Sequence, residues 1–504
     1  MEKNKARELV AQLANAGILV SSDIDAKGIG GIDIGLLASK IIDHLKDQQE
    51  LKVADNKLLQ MVVDELSVEK APVSTEAEIE VIRKSDFEPV AKDIDAIYSI
   101  STEDVEKPDG TVDSFVSYFR DRLERLRRII EGRSNLVGLL RSIEELKGYM
   151  DGREVAIVGM VNSKVVTRAG NIMVMLEDET GSARVIFSKY HSGPGSMLES
   201  AERIINDEVI AVKGKIAGQF VIANEIIWPD APIKERKLSK EHVAIAFLSD
   251  LHVGSKLFME DNFIHFIKWL NGGIEGRKDL AGKIKYIVIN GDVADGIGVY
   301  PNQDRDLAIP DIFVQYKKFM ELVSMIPDYI NVFILPGNHD AVQRAEPQPQ
   351  LGAELIGEYK LDNVHMLPSP STISMHGIEV LAYHGTSLDS IIAALPGMSY
   401  ASPEKAMIEI LKRRHLSPIY GGNIIVPSRQ DRLTISSVPD ILTMGHIHKN
   451  AISNYHGIDI VNSGTWQART EFQVRQGHIP TPCLLPVYEA DKGAFVQIDF
   501  NTGI

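Results

Sequence analysis

Apolar and polar positions follow three different rhythms along this chain, and the plainest is in the C-terminal half. There, five short apolar runs each stop abruptly at residues that carry chemistry. Residues 243–248 lead into Asp250-Leu-His252, 286–290 into Gly291-Asp292, and 332–335 into Gly337-Asn338-His339-Asp340. Residues 379–383 lead into His384-Gly385, and 440–444 into Gly445-His446-Ile-His448. Such runs, bounded by Gly and polar residues, predict strands of a sheet buried on both faces. In sheets of that kind the ligand crevice lies at the carboxyl ends of the strands. The pattern therefore predicts that five strand ends deliver Asp, Asn and His side chains to one crevice. Residues 263–270 and 313–325 carry a helical period and suit crossovers between parallel strands.

Upstream the rhythm changes. Over 113–131, Phe115, Tyr118, Phe119, Leu123, Leu126 and Ile130 recur at three- and four-residue spacing and predict an amphipathic helix. Arg120, Arg122, Arg125, Arg127 and Arg128 fall on its other faces, which reads as a solvated basic surface, with a nucleic-acid or partner contact as the functional alternative. Between 154 and 228 three strand-like runs, a short helix and two further strands form the pattern of an OB-fold β-barrel. With few aromatics (Phe187, Tyr190, Phe220, Trp228), protein scaffolding is favoured over direct binding of a single strand. Residues 6–14 and 34–45 have helical spacing around Gly28-Ile-Gly-Gly31, which neither follows a strand nor carries Gly-Lys-Ser/Thr and so is not a phosphate loop. Periodicity fades after residue 66, where acidic residues and Pro72, Pro89 and Pro108 accumulate, the pattern of a long flexible linker with room for brief strands. The expected class is α/β multidomain: a small helical domain (1–66), a flexible acidic linker (67–112), a helical connector (113–150), the OB-fold barrel (151–232), and a C-terminal domain (241–504) of two packed β-sheets flanked by helices.

Composition narrows this reading at few points. Of 504 residues 44% are hydrophobic and 25% charged, as in a globular protein of several domains. No apolar run approaches the roughly 20 residues that span a bilayer, and the first residues lack a signal-peptide pattern. A cytoplasmic protein without membrane contact is expected. The single cysteine, Cys483, excludes an internal disulfide and reads as a small buried apolar group. The net charge of −16 matters more. A chain that holds duplex DNA unaided normally carries a basic surface, so either the substrate is small or a partner supplies the basic groove.

The crevice residues define the chemistry. Asp250, Asp292, Asn338, His252, His384, His446 and His448, with His339 beside them, offer oxygen and nitrogen donors without thiolate. Such a set favours manganese, iron, zinc or nickel over calcium. It is too large for one ion and suits two, about 3.5–4 Å apart, the arrangement used for in-line phosphoester displacement. Elsewhere, His44, His191, His242, His265, His365, His376, His415, His456 and His478 read as structural. Asp295 reads equally as an orienting group or a surface carboxylate, and Arg344 equally as a phosphate contact or an ion-pair partner. The polar loop 298–310 is placed to gate the site or to touch a strand being cut.

The series Asp-x-His, Gly-Asp-x-x-Asp, Gly-Asn-His-Asp, His and Gly-His-x-His resembles the calcineurin-like metallophosphoesterase superfamily. The stretches Gly296-Ile-Gly-Val-Tyr-Pro301, 340–349 and Phe115-Val-Ser-Tyr-Phe-Arg120 further resemble the small subunits of archaeal family-D replicative DNA polymerases. The resemblance implies one metal on Asp250, His252, Asp292 and His448 and a second on Asp292, Asn338, His384 and His446, with Asp292 bridging. His339 would stabilise the transition state or protonate the leaving 3′-oxygen, and Asp340 is the expected partner orienting its imidazole. The implied activity is a metal-dependent 3′→5′ exonuclease that proofreads the 3′ end of a DNA primer. Its cofactors would be two divalent ions, manganese first, with magnesium, iron, zinc or nickel as alternatives. The implied partners are DNA, a large catalytic polymerase subunit and, as a further candidate, a sliding clamp. A free-standing phosphodiesterase and a non-catalytic scaffold are the alternatives.

Overall fold

The computed structural model describes residues 9–14, 16, 18–20, 34–45, 53–54, 58–59, 61–63, 87–102 and 110–502, apart from 192, 194, 358 and 360. The chain forms two compact units, Met1–Lys84 and Ser85–Ile504. In the first, helix α1 (Ile34–His44) accompanies a parallel pair of short strands, β1 (Leu19–Val20) and β2 (Val53–Ala54). Leu13, Leu37, Ile41 and Val62 are buried together there. The glycine run 28–31 and residues 64–86 and 103–109 lie outside the described residues.

The second unit contains a barrel and a layered domain. Strands β4 (Glu154–Val166), β5 (Ile172–Asp178), β6 (Gly181–Phe187), β7 (Val209–Ala217) and β8 (Phe220–Ile227) close in the order β4-β5-β6-β8-β7, with a short helix, α3 (Met197–Glu202), between β6 and β7. Alternate residues fill the interior, among them Ile157, Val174, Leu176, Val185, Phe187 and Val212. Gly214 sits where the β7–β8 register shifts, and a side chain there would lie 2.3 Å from the Ile222 carbonyl.

The layered domain pairs two six-stranded sheets. The first joins β9 (Ala244–Leu248), β10 (Ile284–Asn290), β11 (Asn331–Leu335) and β12 (Val364–Met366) in parallel and adds β18 (Leu484–Glu489) and β19 (Ala494–Asp499) antiparallel. The second contains β3 (Tyr98–Ser101), β13 (Ser371–Met375), β14 (Ile378–Ala382), β15 (Ile441–Met444), β16 (Asn450–Tyr455) and β17 (Ile458–Ser463). Their facing surfaces share Phe247, Tyr286, Val288 and Phe333 with Ile373, Val380, Ile441 and Val461. Behind the first sheet lie α4 (Glu260–Leu270) and α5 (Ile312–Ser324); the core behind the second includes α6 (Leu388–Ala394) and α7 (Pro403–Arg413). With both faces covered, β9, β10, β11 and β15 are buried at every position, which explains their unbroken apolar runs.

Two expectations are corrected. Residues 87–102 fall in the stretch read as linker, yet they belong to the layered domain. β3 pairs with β13, and Tyr98 packs 5.3 Å from Phe333. Tyr286 Oη donates to the Ile97 carbonyl, and Gly272 admits the Phe87 ring where a side chain would clash. A few apolar residues set among acidic ones are enough to hold this segment, but too few to show a period.

The basic side of helix α2 (Val112–Glu131) is a solvated face only in part: Arg120 and Arg128 are exposed, whereas Arg122 is buried. Leu126 and Ile130 pack with barrel residues Ala156 and Val209, while Arg122 is buried and points the other way. Its Nε donates to Asp431 Oδ2 at 2.6 Å and its Nη1 to the Pro418 carbonyl at 2.9 Å. The same carboxylate oxygen meets His415 Nε2 at 2.7 Å, and the Ser417 amide donates to His415 Nδ1 at 3.0 Å. Nδ1 is thus an acceptor, so the proton sits on Nε2 and the ring is neutral. Burial, then the Arg122 charge, pushes its pKa down to about 4. Arg127 pairs with Glu179, and Arg128 remains exposed. No helix among the described residues is long and apolar enough to cross a membrane.

Arg122→Ala strands Asp431 in the interior and is expected to cost about 3–5 kcal/mol in urea unfolding, whereas Arg128→Ala changes stability by about 0.5 kcal/mol or less. The depressed His415 pKa makes stability full above about pH 6.5 and falling toward pH 4, because the unfolded chain takes up the proton first. Its contribution between pH 7 and pH 5 is about 2 kcal/mol, and His415→Gln should remove that part of the slope.

Candidate metal centre

Both sheets turn their carboxyl strand ends toward one crevice. β9 runs into Asp250 and His252, β10 into Asp292, β11 into Asn338 and His339, β14 into His384, and β15 into His446 and His448. The chain turns sharply at the exits of β9, β10 and β15. Asp250, His252, Asp292, His446 and His448 all adopt left-handed backbone conformations, with φ between 48° and 66°. Side chains other than glycine adopt this region at a cost of order 1–3 kcal/mol, and such strain clusters at functional sites. The exits hold each other in place: the Asp250 amide donates to the Gly291 carbonyl, His252 to Asp292, and Gly445 to His384.

These backbone bonds aim the carboxylates. Asp250 accepts the His446 amide on Oδ2, and Asp292 accepts the His339 amide on Oδ1, each at 2.8 Å. The remaining oxygens face imidazoles. Asp250 Oδ1 is 3.3 Å from His448 Nε2 and is buried without a hydrogen-bond partner. Asp292 Oδ2 lies between two rings, 3.4 Å from His384 Nε2 and 3.8 Å from His252 Nε2.

The outer ring nitrogens are committed elsewhere. His384 Nδ1 faces the Asn290 carbonyl at 2.6 Å, and His252 Nδ1 faces Asp295 Oδ1 at 3.1 Å, so both carry their proton outward. In neutral rings the inner nitrogens then present lone pairs. His384 Nε2 meets Asn338 Oδ1 at 2.9 Å, and His252 Nε2 meets His448 Nε2 at 3.1 Å. Each contact calls for a proton or a metal ion on an inner nitrogen, since it would otherwise set lone pair against lone pair. Burial alone would lower both histidine pKa values. The Asp295 hydrogen bond with the Asp292 and Asp250 charges outweighs it for His252, raising it to about 9, and chiefly Asp292 does so for His384, raising it to about 10. Asp292 resists its own burial penalty and is held well below the usual carboxylate range by His384 and its neighbours. The donor sets Asp250–His252–His448, His252–Asp292–His339 and Asp292–His384–His446 each converge within 4.8 Å. Divalent cations fit this donor chemistry.

The supporting residues were only partly foreseen. Asp295 is buried, with Oδ1 on His252 and Oδ2 accepting from Gln303 Nε2 at 2.9 Å, so it orients a ring and is no surface carboxylate. Asp340 does not orient the His339 imidazole. Its carboxylate accepts the amides of Val293, Ala294 and Gly337 and the Tyr316 hydroxyl, locking two strand exits together, while His339 Nδ1 donates to the Asp295 carbonyl at 2.8 Å. Burial, reinforced by the Asp292 charge, raises the Asp340 pKa to about 6. Arg344 forms no ion pair among the described residues and donates to the carbonyls of Gly298 and Val299. Cys483 is fully buried.

Two contacts had no sequence signal. Asp389 Oδ2 holds His446 Nε2 at 3.0 Å, and Gln473 Nε2 lies 2.9 Å from His448 Nδ1. Thr470-x-x-Gln473 does announce a helix start, and the capping box of α8 (Glu471–Gln476) is formed, but that motif says nothing of the histidine the glutamine also reaches.

A layered fold with this crevice defines a class, and residues 243–480 match the family model described as calcineurin-like phosphoesterase. The chain is also 44% identical over 394 residues to the DNA polymerase II small subunit of Archaeoglobus fulgidus, covering 78% of each chain. It is 40% identical to that of Methanocaldococcus jannaschii (81% of this chain, 70% of the relative) and 34% identical to that of Methanothermobacter thermautotrophicus (98% and 100%). The chain belongs to the DNA polymerase II small subunit family.

Close approach at two glycines sets a test. A side chain on Gly337 would lie 2.2 Å from Asp292 Oδ1, and one on Gly445 would lie 1.8 Å from Ser249 Oγ and 2.4 Å from Asp250 Oδ2. Gly337→Ala and Gly445→Ala are each expected to weaken Mn²⁺ binding at least about tenfold by calorimetry, roughly 1.4 kcal/mol. Far-UV circular dichroism should stay unchanged.

Proposed function

We propose that this chain is the proofreading 3′→5′ DNA exonuclease subunit of a two-subunit replicative polymerase. The observation that carries the reading is the convergence of the Asp250 and Asp292 carboxylates with the His252, His384, His446 and His448 rings in groups whose donor atoms lie within 4.8 Å of one another, a donor set suited to divalent cations. Asp250, His252, Asp292 and His448 would hold one divalent ion, and Asp292, Asn338, His384 and His446 the second. Manganese is the first expectation, with magnesium, iron, zinc or nickel as alternatives. Two such ions supply charge stabilisation at the phosphodiester and a nucleophile from water at neutral pH. His339 stands beside the ligand set with Nδ1 tied to a carbonyl, which leaves Nε2 to meet the scissile phosphate or give a proton to the leaving 3′-oxygen. Asp295 and Asp389 keep the ligand rings oriented, and Asp340 keeps the loops that carry Asp292 and His339 in register.

The five-stranded barrel is read as an OB-fold serving mainly as a scaffold. The polymerase site would belong to a large catalytic subunit, whose surface would also offset the −16 charge of this chain on DNA. DNA with a free 3′ end would be the substrate, and a sliding clamp is a further candidate partner.

The test is hydrolysis of a 3′-mismatched primer–template with Mn²⁺, by this chain alone and with the large subunit. Loss of the mismatched nucleotide is expected, with His339→Ala and Asp292→Ala each lowering the rate at least about 10³-fold, roughly 4 kcal/mol of barrier. An inactive wild-type complex across all five metals would favour the scaffold. Full activity without the large subunit on any diester would favour a free-standing phosphodiesterase.

A further inference from the structure

The loop after Asp295 is built inside out. Its interior is filled by a polar side chain: Gln303, only 2% exposed, donates to the Asp295 carbonyl and carboxylate and accepts the Val299 amide. Its apolar side chains point outward, with Ile297 50% and Tyr300 37% exposed. A loop that served only to cover the domain would bury the isoleucine and leave the glutamine wet.

The tyrosine sits beside His339. The Tyr300 ring lies 6.2 Å from the His339 ring, and a side chain on Gly296 would come within 2.2 Å of the His339 carbonyl, so the loop rests directly on that residue. The tyrosine is held in place: its hydroxyl donates to Asp306 at 3.1 Å, and Gln315 brackets Gly296 through amide and carbonyl. Arg344, exposed and without an ion-pair partner among the described residues, is fastened to the Gly298 and Val299 carbonyls of the same loop. An anchored aromatic face with a cation alongside is the combination that single-stranded nucleic acid requires, one for the base and one for the phosphate.

We propose that Tyr300 is the platform on which the 3′-terminal base stacks, and that Arg344 meets a backbone phosphate of the same strand. The proposal rests on the phosphodiester reading of the crevice and adds how the strand end is presented to it. Stacking takes any base, so the platform grips whichever terminal nucleotide is unpaired and lets a paired end stay in its duplex.

Binding without cleavage separates this from the reading beneath it. The probe is a single-stranded DNA decamer with 2-aminopurine at its 3′ end and phosphorothioate terminal linkages, added to the full chain. Wild type and Tyr300→Phe should quench the 2-aminopurine, while Tyr300→Ala loses the quench and binds about tenfold more weakly. A decamer whose terminal residue is abasic should bind wild type and Tyr300→Ala alike. Arg344→Gln should flatten the dependence of log affinity on log salt by about 0.7. Equal affinity and quench in wild type and Tyr300→Ala would overturn the platform, as would failure of wild type to bind the probe. Cleavage of an unmodified decamer by wild type with Mn²⁺ is read separately. Cleavage without stacking removes the platform and keeps the nuclease; stacking without cleavage does the reverse.

Discussion

Two buried carboxylates, Asp250 and Asp292, set the terms for the catalytic half of this molecule. Each spends one oxygen on a backbone amide and points the other into a crevice lined by imidazole nitrogens. That charge is costly to bury unless cations come with it. The left-handed turns at three strand exits, the glycines that let backbone touch carboxylate, and the clasp of Asp340 across two loops all hold it in place. Because each outer ring nitrogen already has a partner, His252 and His384 can answer the carboxylates only through their inner nitrogens. Preorganisation of this kind places the donors before any substrate arrives.

A second set of buried charges joins the parts of the larger unit. Arg122 on α2 meets Asp431 of the layered domain, and Arg413 on α7 meets Glu208 of the barrel at 2.6 Å. Both ion pairs link chain segments far apart in sequence, and neither is near water. Such pairs add little net stability compared with apolar packing, but they penalise any docking that leaves one partner alone. The barrel and α2 are therefore held in one register against the domain that carries the crevice.

Much of this was legible in the chain because the physics was local. Strands buried on both faces need unbroken apolar runs, and the exits need Gly, Asp, Asn and His, so β9, β10, β11, β14 and β15 could be placed with their terminal side chains. What escaped was set by packing between distant segments. α2 touches two bodies, so its buried face is wider than its apolar stripe and takes in Arg122. β3 is four residues long and its neighbours are acidic, which hid it in a stretch that otherwise read as linker. Asp389 and Gln473 reach His446 and His448 from helices whose docking no local pattern encodes. Asp340 adjoins His339 in sequence and invited a direct role, but the turn between them points the carboxylate at the neighbouring strand exit instead.

Two cations with Asp292 between them are the arrangement we propose for the crevice. Diffraction from crystals soaked in Mn²⁺, recorded at the manganese edge, tests it most directly. Two anomalous peaks about 3.5–4 Å apart are expected, one on either side of the Asp292 carboxylate, with His339 bound to neither. A single peak, or peaks away from Asp292, would contradict it.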